Sequence, residues 1–257
     1  MIRGLYTAVS AMITNQQKQN VVVNNLANMD TNGYKNKLLL TKSFDELQLD
    51  SYNNYVNGTK QKQEIGKLSP GVSMDETITN FNQGPIKTTD NKMDVAIQGK
   101  GFFLVSDAAG NQFYTRNGNF RTDNQGDLIT SEGYYVLGTN TATGAVGHIN
   151  VGNKKFEVAK DNTISLDGNA MYKFNMVDFN DYNNLKKEGD NLYSGGGAIK
   201  ANNALTIQSA VESSNVDIVS EINNMMTISR EYEANQKIIQ AMDSKLAKIA
   251  SEIGSVR

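Results

Sequence analysis

A chain of 257 residues is long enough for one sizeable domain with extensions or for two small ones. A net charge of −2, with Lys and Arg scattered rather than set against aromatics, leaves no basic surface for nucleic acid, and the absence of cysteine excludes disulfides, thiolate metal sites and a cysteine nucleophile. No apolar run approaches the roughly 18 residues that span a bilayer, and the opening Met-Ile-Arg-Gly-Leu-Tyr lacks the apolar core of a cleavable signal peptide.

The first pattern is a stripe at Ile2, Leu5, Val9, Met12, Gln16, Gln19, Val23 and Leu26, in steps alternating three and four. That alternation keeps one seam facing a partner along a helix under-wound to about 3.5 residues per turn. It predicts a helix over about residues 2–28, roughly 40 Å long and weakened midway by its two glutamines. The helix stops at Asp30-Thr31-Asn32-Gly33, where Gly33 can take the positive φ that other residues resist. Residues 1–33 are therefore read as a core helix and its turn.

From 34 to 77 the pattern is irregular, with an apolar patch at Leu38–Leu40, one helical turn at Phe44–Leu49 and polar residues from Ser51 to Lys67. An extended connecting segment is expected. Within it, Asn57-Gly58-Thr59 is a nominal glycosylation sequon of a kind common by chance.

From Ile78 onward turn signals recur, among them Gln83-Gly84-Pro85, Gly99-Lys100-Gly101, Asn117-Gly118 and Asn124-Gln125-Gly126. The runs between them, including Asp94–Gln98, Phe102–Ser106, Gln112–Arg116, Thr163–Leu166 and Tyr172–Val177, are short and rich in β-branched and aromatic residues. They predict a compact antiparallel β domain over 78–204, with Gly195-Gly196-Gly197 marking its exit.

Residues 205–257 carry the second stripe: Met225, Ile228, Tyr232, Asn235, Ile239, Met242, Leu246, Ile249, Ile253 and Val256. A helix starting after an N-cap at Ser214 or Asn215, with Asp217 placed against the helix dipole, is expected. Each stripe alone also fits the buried face of an ordinary amphipathic helix. Two matched stripes at opposite ends favour pairing. The fold class is accordingly α+β: N- and C-terminal helices pairing as a coiled coil, with a central, mainly antiparallel β domain.

Catalytic signals are sparse. His148 is the only histidine, with no second histidine or cysteine to share a metal or complete a triad. An acid pair among Asp94, Asp107, Asp123 and Asp127 has no positive support. Gly99-Lys100-Gly101 leads into Phe102-Phe103, a strand rather than a phosphate-binding helix, and Asp178–Asn184 lacks the glycine and glutamate of a calcium loop. No cofactor is indicated.

Three blocks nevertheless carry a likeness. They are Asn24-Asn25-Leu26-Ala27-Asn28 through Thr31-Asn32-Gly33-Tyr34-Lys35; Gly99-x-Gly101-Phe102-Phe103 with Tyr114-Thr115-Arg116-x-Gly118-x-Phe120; and Ser214-Asn215-Val216-Asp217 followed by Arg230-Glu231-Tyr232-Glu233-Ala234-Asn235. Together they resemble the axial proteins of the bacterial flagellum, and among these the rod proteins below the hook. The resemblance implies a subunit that leaves through the flagellar export apparatus without signal cleavage. It would polymerise helically with copies of itself and other axial proteins of rod and hook, in the basal body.

The chain's length suits a distal or proximal rod protein, with the distal rod favoured, better than a hook protein with its additional outer domain; 138–200 aligns with no block. The assembly interface expected is Leu5, Val9, Met12, Val23, Leu26, Met225, Tyr232, Ile239, Leu246 and Ile253, with Gln16 and Asn235 as polar residues that set register. Asn28, Thr31, Gly33, Tyr34 and Lys35 form the turn expected to redirect the chain from core helix to outer layer. The alternatives from other classes are a rod-associated peptidoglycan hydrolase and a generic coiled-coil adhesin, which would not need the 28–35 turn.

Overall fold

The computed structural model describes residues 2–56, 59–189, 191–201 and 204–254, which fall into two compact units. Asn57 and Gly58 of the sequon lie outside the described residues.

The first unit comprises the chain up to Leu26, then Lys37–Ile78, then everything from Ile218. It holds helix α1 (Ile2–Ala27), helix α2 (Ile218–Gly254) and strands β1 (Lys37–Ser43), β2 (Leu47–Val56), β3 (Thr59–Leu68) and β4 (Val72–Thr79). β1 pairs with β4, and β2 pairs antiparallel with β3 from Leu47↔Leu68 to Val56↔Thr59.

These strands correct one expectation for 34–77: Phe44–Leu49 forms no helical turn, and the extended connecting segment is largely paired strand. A six-residue helical pattern cannot meet the cost of nucleation, whereas a hairpin of two ten-residue strands satisfies backbone groups along its length. The ladder is legible mainly through its charges, Lys62 on Asp50 at 3.0 Å and Lys42 on Asp75 at 2.8 Å, exposed pairs that favour register more than stability. The loop before β4 is tied to α1, Thr7 Oγ1 donating to the Pro70 carbonyl at 2.8 Å.

The second unit comprises Ala27–Asn36 and Thr79–Asp217. Strands β5 (Ile86–Thr88), β6 (Val95–Gln98), β7 (Phe102–Ser106) and β8 (Gln112–Thr115) open it. One antiparallel path runs from Phe156–Val158 through Thr163–Leu166, Asn169–Phe174, Tyr135–Asn140, β7, β8 and Leu192–Ser194 to Lys186–Glu188. Side chains alternate along β7: Phe103 and Val105 join one core with Ile97, Phe120, Val136 and Phe174, while Phe102 and Leu104 join a second with Tyr114, Phe179 and Tyr193. A strand buried on both faces needs an uninterrupted apolar run, which is why Phe-Phe-Leu-Val stands there.

The chain returns to the start of this unit before leaving it: Leu205–Gln208 pairs with β6 and Ala210–Glu212 with β5. Residues 205–212 are thus β structure. α2 begins only at Ile218, and Asn215, expected as a cap, instead accepts from the Asn36 amide at 2.7 Å and donates to the carbonyls of Asn80 and Asn82.

Candidate functional site

Two arrangements concentrate the residues singled out by sequence. The first is the helix pair. A Cβ placed on Gly4 would lie 2.8 Å from Cε of Met242, and Asn25 Nδ2 donates to Glu221 Oε1 at 2.9 Å. Gly4 to Asn25 and Glu221 to Met242 are both 21 residues, or three heptads, so the helices run antiparallel in coiled-coil register. Between these contacts Ala11, Thr14, Asn15 and Lys18 face Glu231, Ala234 and Asn235 around a cavity of about 330 Å³.

The contact line on α2 runs Glu221, Met225, Ile228, Tyr232, Asn235, Ile239, Met242, following the sequence stripe. On α1 it runs Gly4, Ala8, Ala11, Asn15, Lys18, Val22, Asn25, all buried or half-buried. This corrects the intrachain seam: it lies one residue, about 100° of helix rotation, from the stripe of Leu5, Val9, Met12, Gln16, Val23 and Leu26. Small side chains at 4, 8 and 11 let the helix backbones approach, so close packing overrides hydrophobicity in choosing the face. Leu5, Met12 and Leu26 are consequently only half-buried, and Val9 and Val23 stay 38% and 47% exposed. On α2, Met225 and Ile239 are half-buried while Tyr232 and Leu246 are each 37% exposed; the side chain of Ile253 lies outside the described set.

Asn25 pins the far end of this unit. Its amide spans the Lys37 peptide, Nδ2 donating to the carbonyl at 2.9 Å and Oδ1 accepting from the N–H at 3.0 Å, besides reaching the buried Glu221. Nothing in a run of asparagines marks which one is buried, and neither Asn25 nor Glu221 was among the residues expected here.

The second arrangement is the turn motif, inside the β unit. Thr31 N donates to Asn28 O and Thr31 Oγ1 to Asn28 Oδ1, both at 3.2 Å, and Tyr34 N closes onto Thr31 O. Gly33 takes φ +72°, and a Cβ there would lie 2.7 Å from the backbone of Arg116 and Asn117. Its N–H donates to the Glu212 carbonyl at 2.7 Å. Tyr34 is buried, with Lys187 Nζ 4.4 Å above its ring.

Lys35 is buried as well. Its ammonium donates to Glu212 Oε1 at 2.5 Å and to the Asn82 carbonyl at 2.7 Å. Glu212 also accepts from Gly84 N at 2.9 Å and from Arg116 Nη1 at 3.1 Å, while Arg116 Nη2 donates to Gly99 O at 2.8 Å. One carboxylate thus holds two cations and a peptide N–H out of water. Burial pushes the Lys35 ammonium below its ordinary pKa; the Glu212 carboxylate and its hydrogen bond pull the other way, and the Arg116 charge adds to the lowering. Glu212 and Arg116 were not expected at this site. The available signal was a glutamate closing an apolar run, Ala210-Val211-Glu212, in a chain with a motif lysine and a motif arginine.

The carboxylates considered for catalysis close turns. Asp94 accepts from Thr89, Asn91 and Asn119; Asp107 from Asn111; Asp123 from the backbone of Gln125 and Asp127; Asp127 from Asn150. His148 stacks on Tyr135 across paired strands, ring centroids 4.4 Å apart and 2° from parallel. Asp178 Oδ1 accepts from Tyr182 OH and Phe179 N.

One unit built on long antiparallel helices with apolar faces left open, and another in which a turn is locked by a buried ion cluster, define a structural subunit of an assembly. Matches to three family profiles give the same class: a flagella basal body rod protein segment at residues 5–35, the flagellar hook protein FlgE/F/G D1 domain at 96–172, and the flagellar basal body rod FlgEFG protein C-terminal region at 207–252. The chain belongs to the family of flagellar hook and basal-body rod proteins, the structural axial subunits of the flagellum. It is 32% identical to the flagellar hook-basal body complex protein FlhO of Bacillus subtilis over the full length of both chains. It is also 32% identical to the basal-body rod protein FlgG of Buchnera aphidicola subsp. Baizongia pistaciae, over 97% of this chain and 99% of that one, and 30% identical to FlgG of Bacillus subtilis, over 98% and 99%. Among the described residues, no helix is long and apolar enough to cross a membrane.

Proposed function

We propose that this chain forms part of the distal rod of the flagellar basal body, polymerising helically through α1 and α2 and carrying torque from motor to hook. The observation behind this reading is the displaced seam. In the helix pair α1 turns a face that includes Gly4, Ala8, Ala11, Asn15 and Asn25 toward the large apolar residues of α2, and leaves its bulkier stripe, with Leu5, Val9, Met12, Val23 and Leu26, for other chains. Burying each large apolar side chain contributes about 1.5–3 kcal/mol, so a handful of them would outweigh what the small-residue face of α1 supplies. The two-stranded β2–β3 hairpin, marginal by itself in water, would gain in the same way from neighbours.

A helix pair this weakly closed should be poorly ordered in a dilute monomer, a state suited to passage through the export apparatus without signal cleavage, and should order on assembly with copies of itself and other axial proteins. The match to rod-protein relatives along their whole length supports a rod segment over a hook subunit with an extra outer domain. The role is structural, and purified protein is expected to leave a peptidoglycan zymogram uncleared.

Electron microscopy of basal bodies from a strain lacking residues 225–257 tests the proposal. A truncated rod and loss of motility are expected; complete rods with normal motility would refute it. Circular dichroism gives an independent check, since full helix content in a dilute monomer contradicts assembly-driven ordering.

A further inference from the structure

A cleft of about 570 Å³ opens in the β unit beside the ion cluster, within the size range of small-molecule sites. Arg116 and Lys100 line it, and Asp181 is the one carboxylate among the lining residues. Asp181 is committed to its own turn, accepting from Asn183 N at 2.9 Å. Lys100 is exposed and has no ion pair among the described residues. Arg116 is 4% exposed; its Nη1 and Nη2 donate to Glu212 and to the Gly99 carbonyl, but its Nε is buried with no hydrogen-bond partner. A buried donor is costly to leave unpaired. Charge points the same way. Lys35 and Arg116 share the single carboxylate of Glu212, so this trio holds one cation in excess out of water, and an anion in the cleft would offset it.

The rest of the lining indicates what carries the anion. Phe81 and Tyr182 stack with ring centroids 5.0 Å apart and 25° from parallel, and Phe81 stands edge-on to the buried Phe102, which fixes this aromatic wall to the core. Around it stand the exposed amides of Asn80, Asn82, Asn180 and Asn183, each with donors and an acceptor. Flat apolar rings beside such amides match a sugar, whose ring has an apolar C–H face and whose hydroxyls both donate and accept. A peptide fits less well, because an added strand needs a free sheet edge and Thr79, at the end of β4, is the one strand residue in the lining. The cleft is also built in advance. Gln83 Nε2 donates to Ile97 O at 2.7 Å and its Oε1 accepts from Gly99 N at 3.1 Å, which holds the loops around residues 83 and 99 at a fixed spacing.

We propose that this cleft binds a carboxylated sugar, with its carboxylate toward Lys100 and the Arg116 Nε–H and its ring against Phe81 and Tyr182. Such a site holds the β unit to a glycan independently of any contact made through α1 and α2.

The test uses the full chain in dilute solution. Calorimetric titrations compare glucuronate, glucose and acetate, while nuclear magnetic resonance of labelled arginine follows the Nε–H groups of the five arginines, that of Arg116 being assigned by replacing the others with lysine. Glucuronate is expected to bind about tenfold more tightly than glucose or acetate and to shift the Arg116 Nε–H. Lys100→Ala and Asn180→Ala, both at exposed positions, should leave the fold intact and weaken glucuronate, Lys100→Ala by about tenfold with glucose unaffected. Glucuronate binding no better than glucose overturns the role of the two cations. Acetate binding as tightly as glucuronate leaves a bare anion site and overturns the sugar, and tighter binding of an aspartate-containing tripeptide overturns it in favour of a peptide. Binding that Lys100→Ala does not diminish, or that leaves the Arg116 signal unmoved, lies elsewhere and overturns the site, as does the absence of any binding.

Discussion

Substitution Glu212→Gln tests the buried cluster most sharply, because among the described residues this carboxylate is the one anion paired with both Lys35 and Arg116. The change preserves shape but removes the charge, leaving an ammonium and a guanidinium buried without a counter-ion. Breaking a buried pair in this way costs about 3–5 kcal/mol. Lys35→Met should behave differently. Glu212 keeps Arg116 and the Gly84 N–H, the Asn82 carbonyl keeps Asn215 Nδ2 at 3.0 Å, and the cost of burying an ammonium disappears. About 1–2 kcal/mol is expected from the lost hydrogen bonds alone. Urea unfolding followed by near-ultraviolet circular dichroism would report the β unit, where Tyr34, Tyr114 and Tyr193 are buried. A loss from Lys35→Met equal to or larger than that from Glu212→Gln would refute the asymmetry, and with it the assignment of Glu212 as the hub.

Gly33→Val forces a β-branched residue to φ +72° and drives its Cβ to 2.7 Å from the Arg116–Asn117 backbone, so a loss above about 2 kcal/mol in the same unfolding assay is expected together with failure to assemble. Gly4→Leu should push Met242 away and cost about 1–3 kcal/mol in helix-pair stability, measured as helix content in assembled material, with Met242→Ala restoring part of it. Desolvation, with help from the Asp178 hydrogen bond, raises the Tyr182 hydroxyl to about 12, so its contribution to stability is complete below the ordinary tyrosine value and lost as pH rises from about 10 to 12. Burial shifts Tyr193 in the same direction. The unfolding midpoint should fall across that window, and Tyr182→Phe should flatten the decline.

The α2 contact line was legible because its large apolar residues are also the ones that pack. On α1 the two properties separate: Val9 and Val23 carry the hydrophobicity, whereas Gly4, Ala8 and Ala11 set the distance of approach, and a pattern scored on hydrophobicity selects a different face from the one that packs on α2. The β domain showed through its punctuation, since Gly, Asn and Asp turns bracket runs such as Phe102–Ser106 that must be apolar throughout. Strands β1–β4 lack that signal. Their sides are largely polar, with Leu38, Leu47 and Ile65 exposed, so neither alternation nor an apolar run announces them. The motif residues Gly33 and Lys35 could be picked out in sequence. Their partner could not, because it lies 177 residues from Lys35 and nothing local distinguishes a buried glutamate from a solvated one.

The chain re-enters the β unit at Thr79 and leaves it after Asp217, and Asn215 ties the two ends together by donating to the carbonyls of Asn80 and Asn82. Entrance and exit thus share one gatepost, and the polypeptide strung between them is in effect a cassette. Its outer loops, such as the tip at Gly144, where an added side chain would meet open space, can be lengthened or exchanged without disturbing the doorway. A tag or reporter inserted there should ride on the subunit while the gate stays shut.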